Sequence, residues 1–307
     1  MGSRAAAIDI GTNSVLLVVA ERDPAGAIRP IVERATITRL GKRVDATGTL
    51  SAERCERTLA CLRAYAAELR GADVKHLAVV GTSALRDARD GDRFLRDATS
   101  ILGVRPEVID GSREAALTFR GALSGLDLEG PVRVFDVGGG STEVISGSLR
   151  GDAVSVDVGE SLNIGSVRLF ERHLRTDPPS SAELEALRAD ARNELRALAV
   201  PTGDCQWVGV AGTITTLAAI EQKLDRYDAS RVHGCRLTQH ALHELAARLS
   251  ALPLRARRDL PGLEPARADI IAAGAWICFE LIDHFGGDAV IVSDRGVRWG
   301  LLHELLQ

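Results

Sequence analysis

No apolar run in this 307-residue chain approaches the ~20 residues needed to cross a bilayer, which argues against a membrane-spanning protein. The N-terminus has no signal-peptide core, because Asp9 interrupts its apolar stretch. Ala6 stands where a myristoylation motif needs Ser or Thr. The cysteines (Cys55, Cys61, Cys205, Cys235 and Cys278) include no C-x-x-C pair. Reduced, mostly buried thiols in a cytoplasmic protein are therefore expected. The histidines show no H-E-x-x-H or other paired metal spacing, and His233 beside Gly234 is given no role. An excess of basic charge is missing too. The formal net charge of −4 argues against a general nucleic-acid binder. Arginines still cluster locally, at Arg86, Arg89, Arg93 and Arg96 and at Arg255, Arg257, Arg258 and Arg267. Such clusters read as solvated helix faces or as the walls of a basic groove.

One short pattern occurs twice. Asp9-Ile10-Gly11-Thr12-Asn13-Ser14 and Asp136-Val137-Gly138-Gly139-Gly140-Ser141 each follow an apolar run and lead into another. Each reads as strand, tight turn, strand. Glycine lets a turn approach a ligand closely, and its free amides can cradle phosphate oxygens. An Asp at each turn entrance would repel phosphate unless a cation lies between. Two ordinary hairpins are the plain alternative, but two copies with aligned Asp, Gly and Ser favour a phosphate-and-metal site. A dinucleotide fingerprint fits poorly, because Ser141-Thr142-Glu143 and a strand-rich segment follow the glycines where a long helix is needed.

The length predicts two domains. The turn-rich stretch Ser124–Pro131 places their boundary, giving 1–126 and 127–307. Extended segments are expected at 28–40, 76–80 and 104–109, and helices at 52–71, 91–102, 112–123 and 162–174. Ser180 and the spacing Leu184, Leu187, Ala191, Leu195 mark another helix. A strand at 207–210 ends at Ala211-Gly212-Thr213, which opens a helix. Helices near 238–250 and 265–284, a strand at 289–293 and a last helix from about 296 complete the chain. The last helix is allowed to pack back on the first domain. Strand-rich openings followed by alternating elements in both halves indicate two related α/β domains.

These segments resemble the exopolyphosphatase / guanosine pentaphosphate phosphatase family. The matching stretches are Asp9–Ser14, Gly81–Arg86, Asp110–Ala115, Asp136–Glu143, Gly212–Thr216 and Ser293–Gly296, in family order along essentially the whole chain. The resemblance implies two duplicated actin-like ATPase (ribonuclease H-like) domains flanking an interdomain cleft. It also implies the short form of the family, without the C-terminal helical domains of longer relatives. Short or medium chains and low processivity follow as expectations for that form. Two departures stand out: Asp110 replaces the usual Ser or Thr before Gly111, and Trp299 stands where Glu is common.

The resemblance assigns Glu114 as the catalytic base and Arg86 as a phosphate-contacting residue. By position alone, Glu114 would read as a first-turn complement to the helix dipole. Gly11, Thr12, Asn13, Ser14, Gly138, Gly139, Gly140, Ser141, Gly212 and Thr213 are the remaining candidate phosphate contacts. Asp136 and Glu143 are hard oxygen ligands suited to Mg²⁺ or Mn²⁺, with Asp9 as their counterpart on the first turn. They are seven residues apart, so a hairpin could bring them together across its turn. A solvated strand residue is the plain reading of Glu143. The expected activity is Mg²⁺-dependent removal of the terminal phosphate of inorganic polyphosphate. Alternatives are hydrolysis of guanosine pentaphosphate (pppGpp), a kinase of the same superfold and a non-catalytic phosphate or nucleotide sensor. A cytoplasmic homodimer without nucleic-acid or membrane partners completes the expectation.

Overall fold

The computed structural model describes residues 4–24, 26–150, 153–198 and 204–306. The chain divides into two units: residues 1–121 with 297–307, and residues 122–296. The chain therefore passes between units twice, at Gly121/Ala122 and at Gly296/Val297.

The first unit contains β1 (Arg4–Ile10), β2 (Ser14–Arg22), β3 (Ile28–Ile37), α1 (Val44–Thr47), α2 (Ala52–Gly71), β4 (His76–Gly81), α3 (Ser83–Asp87), α4 (Gly91–Leu102), β5 (Glu107–Val108) and α5 (Gly111–Ala122). Its sheet runs β3-β2-β1-β4-β5. The β1–β2 and β2–β3 pairs are antiparallel, and β4 joins β1 in parallel. Alternation along β1 sends Ala6, Ile8 and Ile10 to one face and Ala5 and Ala7 to the other. The first face packs against Leu59 and Leu62 of α2 and Phe94 and Leu95 of α4. Ser51 starts α2 by accepting the Arg54 amide, as its position before the first apolar repeat predicts.

The second unit contains β6 (Gly130–Val137), β7 (Thr142–Arg150), β8 (Ala153–Leu162), α6 (Ser166–His173), α7 (Ser181–Arg196), β9 (Gln206–Val210), α8 (Ala211–Glu221), α9 (Ala229–Val232), β10 (Arg236–Thr238), α10 (Gln239–Ala251), α11 (Leu254–Arg258), α12 (Ile271–His284) and β11 (Ala289–Val292). The last helix, α13 (Val297–Leu305), belongs to the first unit. There it covers the alanine face of β1 together with α5. A Cβ on Gly300 would lie 2.1 Å from the Leu117 carbonyl oxygen, so glycine is what lets α13 approach α5. Trp299, a departure from the family pattern, fills this core at 1% exposure. Burying such a side chain contributes about 3 kcal/mol.

The second sheet runs β10-β11-β9-β6-β7-β8. Its first three strands repeat the plan of the first unit: two antiparallel pairs, then β9 parallel to β6. The core of this unit sets Phe135, Val137 and Val144 against α7, α8, α10 and α12. A capping box between Ser180 and Glu183 starts α7. Glu280 on α12 is buried, and Arg188 and Arg192 of α7 satisfy it. The segment expected to be helical from Leu162 begins its helix only at Ser166, because Leu162 still pairs with Thr142.

Candidate active site

The two repeated turns have the same hydrogen-bond plan. The Gly11 amide donates to the Ser14 carbonyl at 3.0 Å, and the Gly138 amide donates to the Ser141 carbonyl at 3.0 Å. The segment after the third strand then braces each turn from behind. In the first unit, the amides of Thr38 and Arg39 bond the Asn13 carbonyl, and the Gly41 amide bonds that of Thr12. In the second, the Ser166 amide bonds the Gly138 carbonyl, and the Val167 and Arg168 amides bond that of Gly139. Arg168 Nε adds a 2.6 Å bond to the Gly140 carbonyl. A Cβ on Gly165 would fall 2.5 Å from the Gly139 carbonyl oxygen, which explains the glycine there. With the carbonyls held, the amides of Thr12, Asn13, Gly139 and Gly140 donate to no protein acceptor among the described residues. Such a row of free donors is what a phosphate oxygen needs. The Asn13 side chain is also buried, with neither amide atom bonded.

Strand register places the carboxylates. Asp9 lies opposite Leu16, whereas Asp136 lies opposite Glu143. Directly opposed residues of an antiparallel pair project to the same sheet face, so Asp136 and Glu143 form a facing pair. Glu143 is 1% exposed, which excludes the solvated reading, and its Oε1 accepts the Ser161 hydroxyl at 2.9 Å. Asp9 has a buried Oδ1 without a hydrogen-bond partner. Burial pushes its carboxyl up from 3.8 to about 6, against the opposing pull of Arg298.

Among the described residues, no group of three or more His, Cys, Asp or Glu side chains converges for a metal. The donor chemistry of Asp136 and Glu143 nevertheless fits Mg²⁺, which keeps several waters and takes one or two carboxylates plus substrate phosphate oxygens.

A helix follows the next strand in both units. Thr82, after β4, ties back to β1 through its amide and the Ile10 carbonyl, and α3 then presents Arg86. Arg86 Nη1 donates to Glu114 Oε2 at 2.9 Å and to the Ile109 carbonyl at 3.0 Å. Glu114 is 6% exposed and stands in the first turn of α5. Asp110 caps that helix, its Oδ1 accepting the Arg113 amide at 2.8 Å. This departure thus keeps the capping function that Ser or Thr would serve. Arg113 forks onto Glu304 of α13 and fixes the same turn from outside.

In the second unit, Ala211 takes a left-handed φ of 68° at the entrance to α8. The Thr213 hydroxyl bonds the Val137 carbonyl at 2.8 Å, which locks this helix start to the end of β6. The guanidinium of Arg267 lies over Gly212, so close that a Cβ there would be 2.0 Å from Nη1. Sequence reasoning had no means to pair Arg267 with Gly212, fifty-five residues earlier in the chain. The expected basic cluster at 255–267 dissolves accordingly. Arg257 is buried against Asp177, Arg267 sits at α8, and only Arg255 and Arg258 are exposed. His233 Nδ1 faces Asp294 at 3.2 Å and Ser293 at 3.3 Å. Both groups meet the same ring nitrogen, so they do not form a relay. All five cysteines are free; Cys61 and Cys278 are buried and the others partly so.

The structure thus pairs Arg86 with Glu114 in the unit that also holds the Thr12–Asn13 turn. It brings Asp136, Glu143, the triple-glycine turn and Gly212–Thr213 together in the other.

A model of the Ppx/GppA phosphatase family matches residues 18–307. Exopolyphosphatase 2 of Mycobacterium tuberculosis is 37% identical over 97% of each chain. The crystal structure of the Aquifex aeolicus Ppx/GppA family member matches with a TM-score of 0.83 at 35% identity, covering 99% of this chain and 98% of that one. An exopolyphosphatase from Cytophaga hutchinsonii matches with a TM-score of 0.88 at 25% identity, with the same coverage. The two units repeat one α/β plan, and the chain belongs to the Ppx/GppA phosphatase family.

Proposed function

We propose that this protein is an exopolyphosphatase, a phosphoanhydride hydrolase that removes the terminal phosphate of inorganic polyphosphate. The observation that carries the reading is the buried carboxylate of Glu114, held by Arg86 within the unit that bears the first phosphate turn. The M. tuberculosis relative, whose name states this activity, supports it over nearly the full length.

Phosphoryl transfer depends on positioning and charge neutralisation more than on covalent help. The free amides of Thr12, Asn13, Gly139 and Gly140 bind non-bridging oxygens. The planar fork of Arg86 orients the terminal phosphate, since it suits a tetrahedral oxyanion. When substrate takes over the guanidinium, Glu114 accepts a proton from the attacking water. Asp136 and Glu143 would hold Mg²⁺ or Mn²⁺, and the ion would neutralise charge building on the phosphate oxygens. Gly212 and Thr213, with Arg267 above them, receive a further phosphate at the start of α8. The reading includes action as a cytoplasmic homodimer, for which the mass in solution is the check.

Guanosine pentaphosphate ends in the same anhydride and is the competing substrate. Phosphate release measured side by side on short polyphosphate, long polyphosphate, guanosine pentaphosphate and ATP decides. The highest kcat/KM is expected on polyphosphate. Faster turnover of guanosine pentaphosphate would reassign the substrate. No release from any of the four would make the protein a non-catalytic binder.

A further inference from the structure

The segment joining β3 to α1 carries positive charge that the reaction scheme leaves unused. Arg39, Lys42 and Arg43 stand among ten residues, 39–48, that include one carboxylate, Asp45. Lys42 and Arg43 are exposed.

Three observations make this more than a solvated loop. First, the segment is built onto the phosphate turn, because the Arg39 and Gly41 amides bond the carbonyls of Asn13 and Thr12. Second, Gly41 is wedged between that turn and α3. A Cβ there would lie 2.3 Å from Thr12 Cγ2 and 3.1 Å from the Ala84 Cβ, two residues before Arg86. The far end is clamped as well. The Arg89 amide bonds the Gly48 carbonyl, and its guanidinium bonds that of Thr47. Third, Arg39 and Arg43 both adopt left-handed backbone, with φ of 58° and 66°. That region disfavours side chains with a Cβ and suits glycine or asparagine. Two arginines at such positions, around an exposed lysine, put cationic side chains where the backbone alone would select glycine.

We propose that the 39–43 loop is a subsite for the inner phosphates of a polyphosphate chain, with Lys42 and Arg43 as its cations. The terminal phosphate is engaged at Arg86 and the Thr12–Asn13 turn, and the chain behind it runs along this rigid basic lip. The inference rests on the exopolyphosphatase reading and adds to it where the polyanion is gripped. A flexible lysine tolerates variable phosphate spacing as a point charge, while Arg43 can fork onto one phosphate.

The test uses the full chain as wild type, Lys42→Glu and Arg43→Gly, with phosphate release followed on long polyphosphate and on tripolyphosphate across a salt series. The ratio of the long-chain KM to the tripolyphosphate KM should rise roughly three- to tenfold for each cation removed. The salt dependence of the long-chain KM should flatten by about one unit of slope per cation. Arg43→Gly should melt no lower than wild type, because glycine accepts the left-handed backbone. KM values that rise in parallel on both substrates, or do not move, overturn the inference. An Arg43→Gly protein that melts well below wild type assigns Arg43 to folding and removes it from the subsite. A wild type that hydrolyses neither polyphosphate rejects the exopolyphosphatase reading and the inference with it. A wild type that hydrolyses both while the ratio stays fixed rejects the inference alone.

Discussion

The two phosphate turns share a backbone and differ in chemistry. Each is closed by a glycine amide and braced through its carbonyls, and in each unit a later strand, parallel to the first, opens a helix. At the position facing the entrance Asp, the second unit has Glu143 and the first has Leu16. The first unit instead has Arg86, Glu114 and a cationic brace, where the second braces its turn with the start of α6. One backbone plan thus carries two sets of side chains. In the mechanism we propose, the first unit handles the water, the arginine and the incoming chain, and the second the cation. The backbone geometry is shared, and side chains at equivalent register positions differ.

Glu114→Gln should break this division most severely. A lost general base lowers kcat by about 10²–10⁴-fold. Polyphosphate binding should persist, because the amides and Arg86 remain. Near-wild-type kcat in steady-state assays would remove Glu114 from the mechanism.

The braces come next. A Cβ at Gly165 would meet Gly139 backbone at 2.5 Å, whereas one at Gly41 meets the tip of the Thr12 side chain at 2.3 Å. Backbone cannot yield as a side chain can. Gly165→Ala should therefore destabilise by about 2–3 kcal/mol, and Gly41→Ala by about 1 kcal/mol. Denaturant melts that rank the two in the opposite order would contradict the stiffer contact assigned to the second brace.

Asp9→Asn sharpens the comparison through pH. The native carboxyl titrates near 6, above its ordinary 3.8, so its ionisation opposes folding. The penalty is absent below about 4, grows as pH rises, and is complete above about 6. At pH 7 the variant should be more stable by on the order of 2–3 kcal/mol, and near pH 4 it should match wild type. It should also turn over more slowly, a stability–activity trade-off. Equal melting temperatures at pH 7 would contradict the buried, poorly partnered Asp9.

Much of this comparison was legible in the sequence. The duplicated Asp–Gly–Ser turns, the seven-residue spacing from Asp136 to Glu143 and the alternation of elements led to the right fold and to the facing pair. Ser51 and Ser180 announced their helices by local capping chemistry. What stayed hidden depends on contacts between residues distant in sequence. The start of α6 is set by turn carbonyls more than twenty residues earlier, so hydrophobic spacing alone extended that helix back into β8. The three-residue strand β10 is too short to leave a periodic signal. The arginines of 255–267 share a segment of sequence, yet Asp177 and Gly212 draw two of them to different places. The left-handed backbone of Arg39 and Arg43 has no sequence signature, because glycine is the residue that announces it.

The division of labour between the turns is tested most directly by metal binding without turnover. Mn²⁺ titrated into the full-length protein, read by calorimetry or by electron paramagnetic resonance in the presence of a non-hydrolysable polyphosphate analogue, should bind wild type and Glu114→Gln alike. Asp136→Asn and Glu143→Gln should each weaken that binding by roughly tenfold or more, since each removes a charged hard ligand. Unchanged affinity in Asp136→Asn and Glu143→Gln, or an equal loss in Glu114→Gln, would contradict the assignment of the cation to the second turn.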